Sequence, residues 1–326
     1  MKSQDLCEQV TAAIIAELEK GVMPWSKPWA GTGGPVMPRR HAGARYRGIN
    51  VLILWGAAQA AGYRSPHWMT YRQALEYGAC VKKGERSTQI VFANRATKTE
   101  TDAAGQITER NFSFLKAYSV FNAEQIDKLP AKFALPALAA TNSAGETGGA
   151  EKDWAAYATS TAWFDAIPAE VIHRGERAVF IPSLDRIELP ERDAFFTPEA
   201  YFSTRAHETI HWTKAERRLN RDFGAARFGD EGYAMEELVA ELGAAFTMAE
   251  IGHQPAIRED HAPYIADWLS VLKRDGKAIL TAAAKASDAL DYLEWFHSGE
   301  TLPPNAQAEE VAVTQAVTAQ AQAEAA

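Results

Sequence analysis

The stretch YFSTRAHETIHW, residues 201–212, decides how the second half of this chain is read. Tyr201, Phe202, Ala206 and Ile210 recur at helical spacing. On a helix, residues four apart share a face, so His207 and His211 can aim ring nitrogens at one point. Glu208 completes the order H-E-x-x-H. Neutral imidazoles are good zinc ligands, and a carboxylate beside them can take a proton from a water held by the ion. Zinc lowers the pKa of such a water to about 7, so a carboxylate base works at neutral pH.

A site of this kind needs a third ligand. The acidic run MEELVAELGAAF, residues 235–246, offers Glu236, Glu237 and Glu241. Leu238, Leu242, Ala245, Phe246 and Ala249 form its core-facing stripe. Glu237 and Glu241 are i, i+4 neighbours at the stripe's edge, beside Ala240, Gly243 and Ala244, where helices approach closely. Glu237 is taken as the ligand and Glu241 as a partner for a histidine N–H. Zinc is the expected cofactor, with Mn or another divalent metal also compatible with these donors. Tyr233, Tyr201, His253 and His261 are available as transition-state donors, and none is assigned.

Outward from this core, RAVFIP and DRIELP read as two short strands joined by SLD, and WAAYATSTAWFDAI as a helix. Residues 197–219 read as one long helix, and residues 262–276 and 277–297 as two more. From residue 298 the chain is rich in Ala, Gln and Glu and reads as a disordered tail, 298–326. The Ala/Gly/Thr/Ser-rich stretch 134–153 reads as a linker between a first domain, 1–133, and a second, 154–297.

The first domain has a different character. Residues 1–130 hold 17 Lys and Arg against 11 Asp and Glu, a net of +6, while the remainder carries −14. Leu6, Val10, Ile14, Ile15 and Leu18 mark a first helix, and residues 50–61 a second, ended by Gly62. Thr70 can cap a third. TQIVFANRAT and NFSFLKAYSVF alternate like strands, with residues 98–109 as the loop between them. Proline and glycine make residues 22–38 a loop, and its GTGG lacks the Gly-Lys-Ser/Thr of a phosphate loop. The fold class expected is α+β, an α+β domain followed by a mostly helical one.

Nine Lys and Arg fall between residues 39 and 86, against two acids, with aromatic residues interleaved. Cations neutralise phosphates and rings stack on unpaired bases, so this mixture suits single-stranded DNA. The candidate DNA contacts are Trp25, Trp29, Arg45, Tyr46, Arg47, Trp68, Arg72, Lys82 and Lys83. No apolar run reaches the roughly 18 residues of a membrane span, and the N-terminus lacks the apolar segment of a secretory signal. Two isolated cysteines, Cys7 and Cys80, make no disulfide framework, which points to the cytoplasm.

LEKGVMPWSKPW, ARYRGINVLILW, HWMTYRQALEYGACVKKGER and YSVFNAEQI resemble the N-terminal domain of the ArdC antirestriction family, which TraC-type plasmid primases also carry. PSLDRIELP, YFSTRAHETIHWTKAERRLNR and GYAMEELVAELGAAF resemble that family's zincin-like metallopeptidase domain. The resemblance covers roughly residues 4–297. It implies a single-stranded-DNA-binding domain, a metal-binding domain and a role in protecting plasmid DNA from restriction. It carries His207 and His211 over as metal ligands, Glu208 as the base, and Glu237, in E-x-x-A, as the third ligand. It leaves the protein substrate unknown. Two further readings stand beside the peptidase: a DNA-coating protein whose metal is structural or regulatory, and a nuclease or primase accessory.

Overall fold

A computed structural model describes residues 3–25, 36–101, 107–135, 153–224, 230–254 and 262–300. Trp29, the GTGG run, His261, nearly all of the expected linker and the tail from residue 301 lie outside the described residues. The described residues fall in two compact units, drawn from Met1–Ser143 with Trp268–Thr281, and from Ala144–Asp267 with Ala282–Ala326. The fold is mixed helix and sheet in two domains, as expected. Among the described residues, no helix is long and apolar enough to cross a membrane.

The first unit contains helix α1 (Ser3–Leu18), strand β1 (Arg39–Arg40), α2 (Ile49–Ala61), β2 (His67–Met69), α3 (Tyr71–Glu76), β3 (Cys80–Val81), β4 (Thr88–Thr101), β5 (Ile107–Asn122) and β6 (Ile126–Asp127). The larger sheet runs β1-β2-β5-β4, and β3 pairs with β6. Gly62 ends α2 at φ 74°, a left-handed position that suits glycine. Thr70 and Gln73 cap α3 reciprocally, Gln73 N–H donating to Thr70 Oγ1 at 3.3 Å and Thr70 N–H to Gln73 Oε1 at 2.9 Å. Tyr46, Leu54, Ala58, Trp68, Ile90 and Val120 form the core under this sheet. Strand β4 lies at the edge, and the Asn50 carboxamide bonds the Val91 N–H (2.8 Å) and carbonyl (2.7 Å), covering one exposed peptide.

Two differences from the sequence reading belong here. The β4–β5 pairing runs to Thr101 opposite Ile107, well into the expected loop 98–109. A two-stranded ladder pairs the inward-facing half of its backbone groups and leaves the rest to water, and alternate threonines favour extended backbone, so polarity alone does not end the strands. Residues 268–281 were assigned to the second domain but fold with the first unit. Trp268 meets Trp25 edge-on at 5.9 Å, and Thr11 Oγ1 donates to the Gly276 carbonyl at 2.8 Å.

The second unit opens with a 3-10 turn, Trp154–Tyr157, then α4 (Ala158–Asp165). Strands β7 (Glu170–His173), β8 (Val179–Ile181) and β9 (Arg186–Leu189) form a sheet in the order β7-β9-β8, with β7 parallel and β8 antiparallel to β9. Strand β7 is absent from the sequence reading. Helices α5 (Pro198–Trp212) and α6 (Glu231–Glu250) carry the site; α7 (Ala262–Arg274) and α8 (Ala278–Ser298) follow, their Trp268–Thr281 part belonging to the first unit.

The expected helix 197–219 is shorter than predicted, because α5 ends at Trp212. Two guanidinium groups from the next segment take its last carbonyls. Arg218 Nε donates to Trp212 O, and Arg221 NH2 donates to Ile210 O at 2.9 Å. Carbonyls left over at a helix end need such donors, and cations there oppose the negative end of the dipole.

Candidate metal centre

Nearly every residue of α5 is buried, including Arg205, His207, Glu208 and His211. Helix α6 buries Glu236, Glu237 and Glu241 on the face that meets α5. Gly243 explains how the two helices come so close. A Cβ at that position would lie 2.8 Å from Cγ1 of Ile210, well inside van der Waals contact.

This approach assembles a triangle. His207 Nε2 and His211 Nε2 are 3.1 Å apart. Glu237 Oε2 lies 3.4 Å from His207 Nε2, and its Oε1 lies 3.5 Å from His211 Nε2. Ligands at about 2.0–2.1 Å from a tetrahedral ion are separated by about 3.3 Å, so the two Nε2 atoms, each facing one Glu237 oxygen at about that spacing, suit one cation between the three side chains. His207, His211 and Glu237 are the one such group of His, Cys, Asp and Glu among the described residues.

The opposite ring nitrogens strengthen the fit. His211 Nδ1 bonds Glu236 Oε1 at 3.0 Å. Glu241 Oε1 lies 3.1 Å from His207 Nδ1, although not well aligned with the ring N–H. Carboxylates facing both Nδ1 atoms favour the Nδ1–H tautomers and turn both Nε2 lone pairs toward the triangle. Two lone pairs and a carboxylate converging in a buried space repel one another unless a cation or proton joins them. Burial opposes a charged His211, yet hydrogen bonds to Glu236 and Glu237 raise it to about 9. Glu237 is held well below the usual carboxylate range, its burial outweighed by hydrogen bonds to His207 and His211.

Glu208, next to His207 on α5 and buried, is not part of the triangle. Its Oε2 accepts the backbone N–H of Phe180 on β8 at 2.7 Å, which fixes the carboxylate's orientation. Behind Glu236 sits Arg221, its side chain 1% exposed. Arg221 grips both Glu236 oxygens at 2.8 Å. Burial would raise the Glu236 carboxyl, but bonds to Arg221 and His211 bring it to about 2. The sequence reading missed Arg221, which follows an irregular segment with no periodic signal, and gave Glu236 no settled role.

Of the possible transition-state donors, Tyr233 has its phenol 3.2 Å from the Tyr264 hydroxyl. Burial, with Tyr264 and Glu237 as neighbours, pushes its ionisation up. Tyr201 is fully buried with its hydroxyl 3.0 Å from His173 Nε2, and His253 Nε2 lies 2.6 Å from Ser160 Oγ.

In the first unit, Trp25 (1% exposed), Tyr46 (5%) and Trp68 (1%) are core residues. This corrects their expected role: a ring enclosed by its own fold offers no face to a base. Tyr46 moreover spends its hydroxyl on the Trp68 carbonyl at 3.2 Å. Arg45 is half-buried, and Arg47, Arg72, Lys82 and Lys83 are exposed. Arg72 stands 3.6 Å from Glu76, and Lys82 Nζ donates to the Glu124 carbonyl at 2.7 Å.

Comparison with known proteins agrees with both halves. A family model described as zincin-like metallopeptidase matches residues 158–285, and one described as the N-terminal domain of anti-restriction factor ArdC matches residues 4–121. An uncharacterized protein, y4eC, of Sinorhizobium fredii (strain NBRC 101917 / NGR234) is 35% identical over 91% of this chain and 93% of its own length. A DNA primase TraC of Escherichia coli is 35% identical over 89% of this chain, which spans 27% of that longer protein. The metal-free crystal structure of the antirestriction protein ArdC from plasmid R388 superposes with a TM-score of 0.72 at 36% identity, covering 91% of this chain and all (100%) of that one. Its Mn(II)-bound structure gives a TM-score of 0.68 at 35% identity, covering 91% and 99%. With its N-terminal domain, its zincin-like domain and their order all shared, this chain belongs to the ArdC antirestriction family.

Proposed function

We propose that this protein binds single-stranded DNA and carries a metal-dependent peptidase site, and that together these protect incoming plasmid or other mobile DNA from restriction in the host cytoplasm. The observation that carries the peptidase reading is the layout of His207, His211 and Glu237 around one point, with Glu208 adjacent to His207 on the same helix and outside the ligand group. Three protein ligands leave a coordination position open, whereas structural zinc sites are normally closed by four. A bound divalent cation would supply Lewis acidity to a water and to a carbonyl oxygen. Glu208 accepts the water's proton and returns it to the leaving amine nitrogen. In this reading Tyr233, on the helix that carries Glu237, would donate to the developing oxyanion. Zinc suits these donors, and the Mn(II) in the R388 relative makes manganese the other metal to test. The net positive charge of residues 1–130 and the domain shared with TraC primases support DNA binding.

The test is entry of unmodified plasmid into a restricting strain that expresses wild type or Glu208→Gln. Wild type should restore entry, and Glu208→Gln should retain metal and DNA yet lose protection. Undiminished protection by Glu208→Gln would overturn the catalytic reading and leave a DNA-coating protein.

A further inference from the structure

With Trp25, Tyr46 and Trp68 enclosed in the core, any stacking surface on the first unit must come from other rings. Phe92 on β4 and Tyr118 on β5 are each 42% exposed. Their ring centroids lie 5.8 Å apart in an edge-to-face pair. The register explains why they surface together. Ile90 stands opposite Tyr118, Phe92 opposite Lys116, and Thr88 opposite Val120, so these residues share one face of the sheet. At one end of that face, Ile90 and Val120 are buried in the core with Leu54 and Ala58 of α2. Farther along, the same face emerges as Phe92, Tyr118 and the exposed Lys116.

We propose that this face of the β4–β5 ribbon is where single-stranded DNA stacks, its bases on Phe92 and Tyr118 and its phosphates beside Lys116. This rests on the DNA-binding reading above and names its surface. Rings on adjacent strands accept successive bases without regard to sequence, because every base has a π-face. The charge pattern selects this occupant over an apolar protein surface. Positions of the same strand parity continue as Asn94 opposite Phe114, Ala96 opposite Phe112 and Lys98 opposite Arg110. The first acid of this parity is Glu100, opposite Thr108 near the far end of the ladder; none occurs from Thr88 to Lys98 or from Arg110 to Val120. Aromatic and basic positions outnumbering that one acid suit a polyanion.

The test uses full-length protein and a labelled oligothymidine of about twenty nucleotides, long enough for one site. Phe92→Ala/Tyr118→Ala should weaken binding by about a hundredfold without changing the salt slope. Phe92→Tyr/Tyr118→Phe should stay within about twofold, since rings are kept. Lys116→Ala should reduce the salt slope by about one ion. If the alanine variant loses stability, photocrosslinking of oligothymidine to wild type decides the matter: adducts should map to Phe92 or Tyr118. Adducts only elsewhere, or an intact alanine variant that binds within about threefold of wild type, would overturn the surface and leave the DNA-binding reading standing. Absence of wild-type binding would overturn that reading and this inference together. Full DNA affinity with lost protection in the alanine variant would assign the face to a protein partner and also overturn the proposal.

Discussion

Gly243→Ala should weaken the metal site even though it improves the helix that bears it. Alanine is favoured over glycine in a helix interior by about 1 kcal/mol. Against this, the new Cβ would meet Ile210 Cγ1 at 2.8 Å, Cδ1 at 2.9 Å and Cγ2 at 3.0 Å. Relaxed carbon contacts sit at about 3.5–4.0 Å, and overpacking of this degree costs about 1–3 kcal/mol. The net loss of stability is therefore small, about 0–2 kcal/mol. Metal affinity should change more. Ile210 lies between His207 and His211 on α5, and Gly243 follows Glu237 and Glu241 on α6. Separating the helices spreads a triangle whose edges are 3.1, 3.4 and 3.5 Å. Because ligand distances tolerate only about 0.2 Å, zinc affinity should fall about ten- to hundredfold. Competition with a chromophoric chelator reads the affinity, and urea denaturation in EDTA reads stability. Ile210→Ala alone should cost about 2–5 kcal/mol, and the pair less than the sum, because the new methyl fills vacated space. A Gly243→Ala protein that gains the full helix-propensity benefit and binds zinc as wild type does would refute this account of the helix crossing.

Other expectations follow from the surrounding groups. Arg221→Met strands the buried Glu236 carboxylate and should cost about 3–5 kcal/mol in urea denaturation, with Glu236→Gln in the same chain recovering part of the loss. Glu236→Gln alone should lower zinc affinity about tenfold by loosening the His211 ring. Asp185 is the acid of a surface pair with Arg217 and the buried Arg218. Burial favours its neutral form, but Arg218 and Arg217 hold it below its ordinary 3.8. A depressed carboxyl stabilises the fold above the unfolded value and loses that contribution as pH falls through the folded one. Asp185→Asn should therefore cost about 1 kcal/mol at pH 7 and progressively less as the pH drops below about 4, measured by denaturation at both pH values.

The histidine pair was legible because i, i+4 geometry lies within one helix and needs no tertiary information. Glu237 was legible through the small residues beside it, Ala240, Gly243 and Ala244, which mark where another helix comes close. Glu236 and Arg221 were not, because their pairing depends on how the chain folds back after Trp212. Strand β7 pairs directly with β9 although β8 lies between them in sequence, and only the folded sheet reveals that partner. The aromatic residues of the first half misled for a related reason. Composition does not distinguish a ring in a core from a ring on a surface. Tyr46 and Trp68 fill the space under the sheet, whereas Phe92 and Tyr118, in strands whose pattern was read correctly, lie where that cover stops.

The most direct test is cleavage of casein, and of the protein itself, by purified wild type and Glu208→Gln, each with zinc or manganese and with or without single-stranded DNA. A catalytic site predicts fragments from the metal-loaded wild type and none from Glu208→Gln, with metal bound equally by both. Fragments of equal yield from the two proteins, or metal-loaded wild type that cuts neither substrate under any of these conditions, would contradict it.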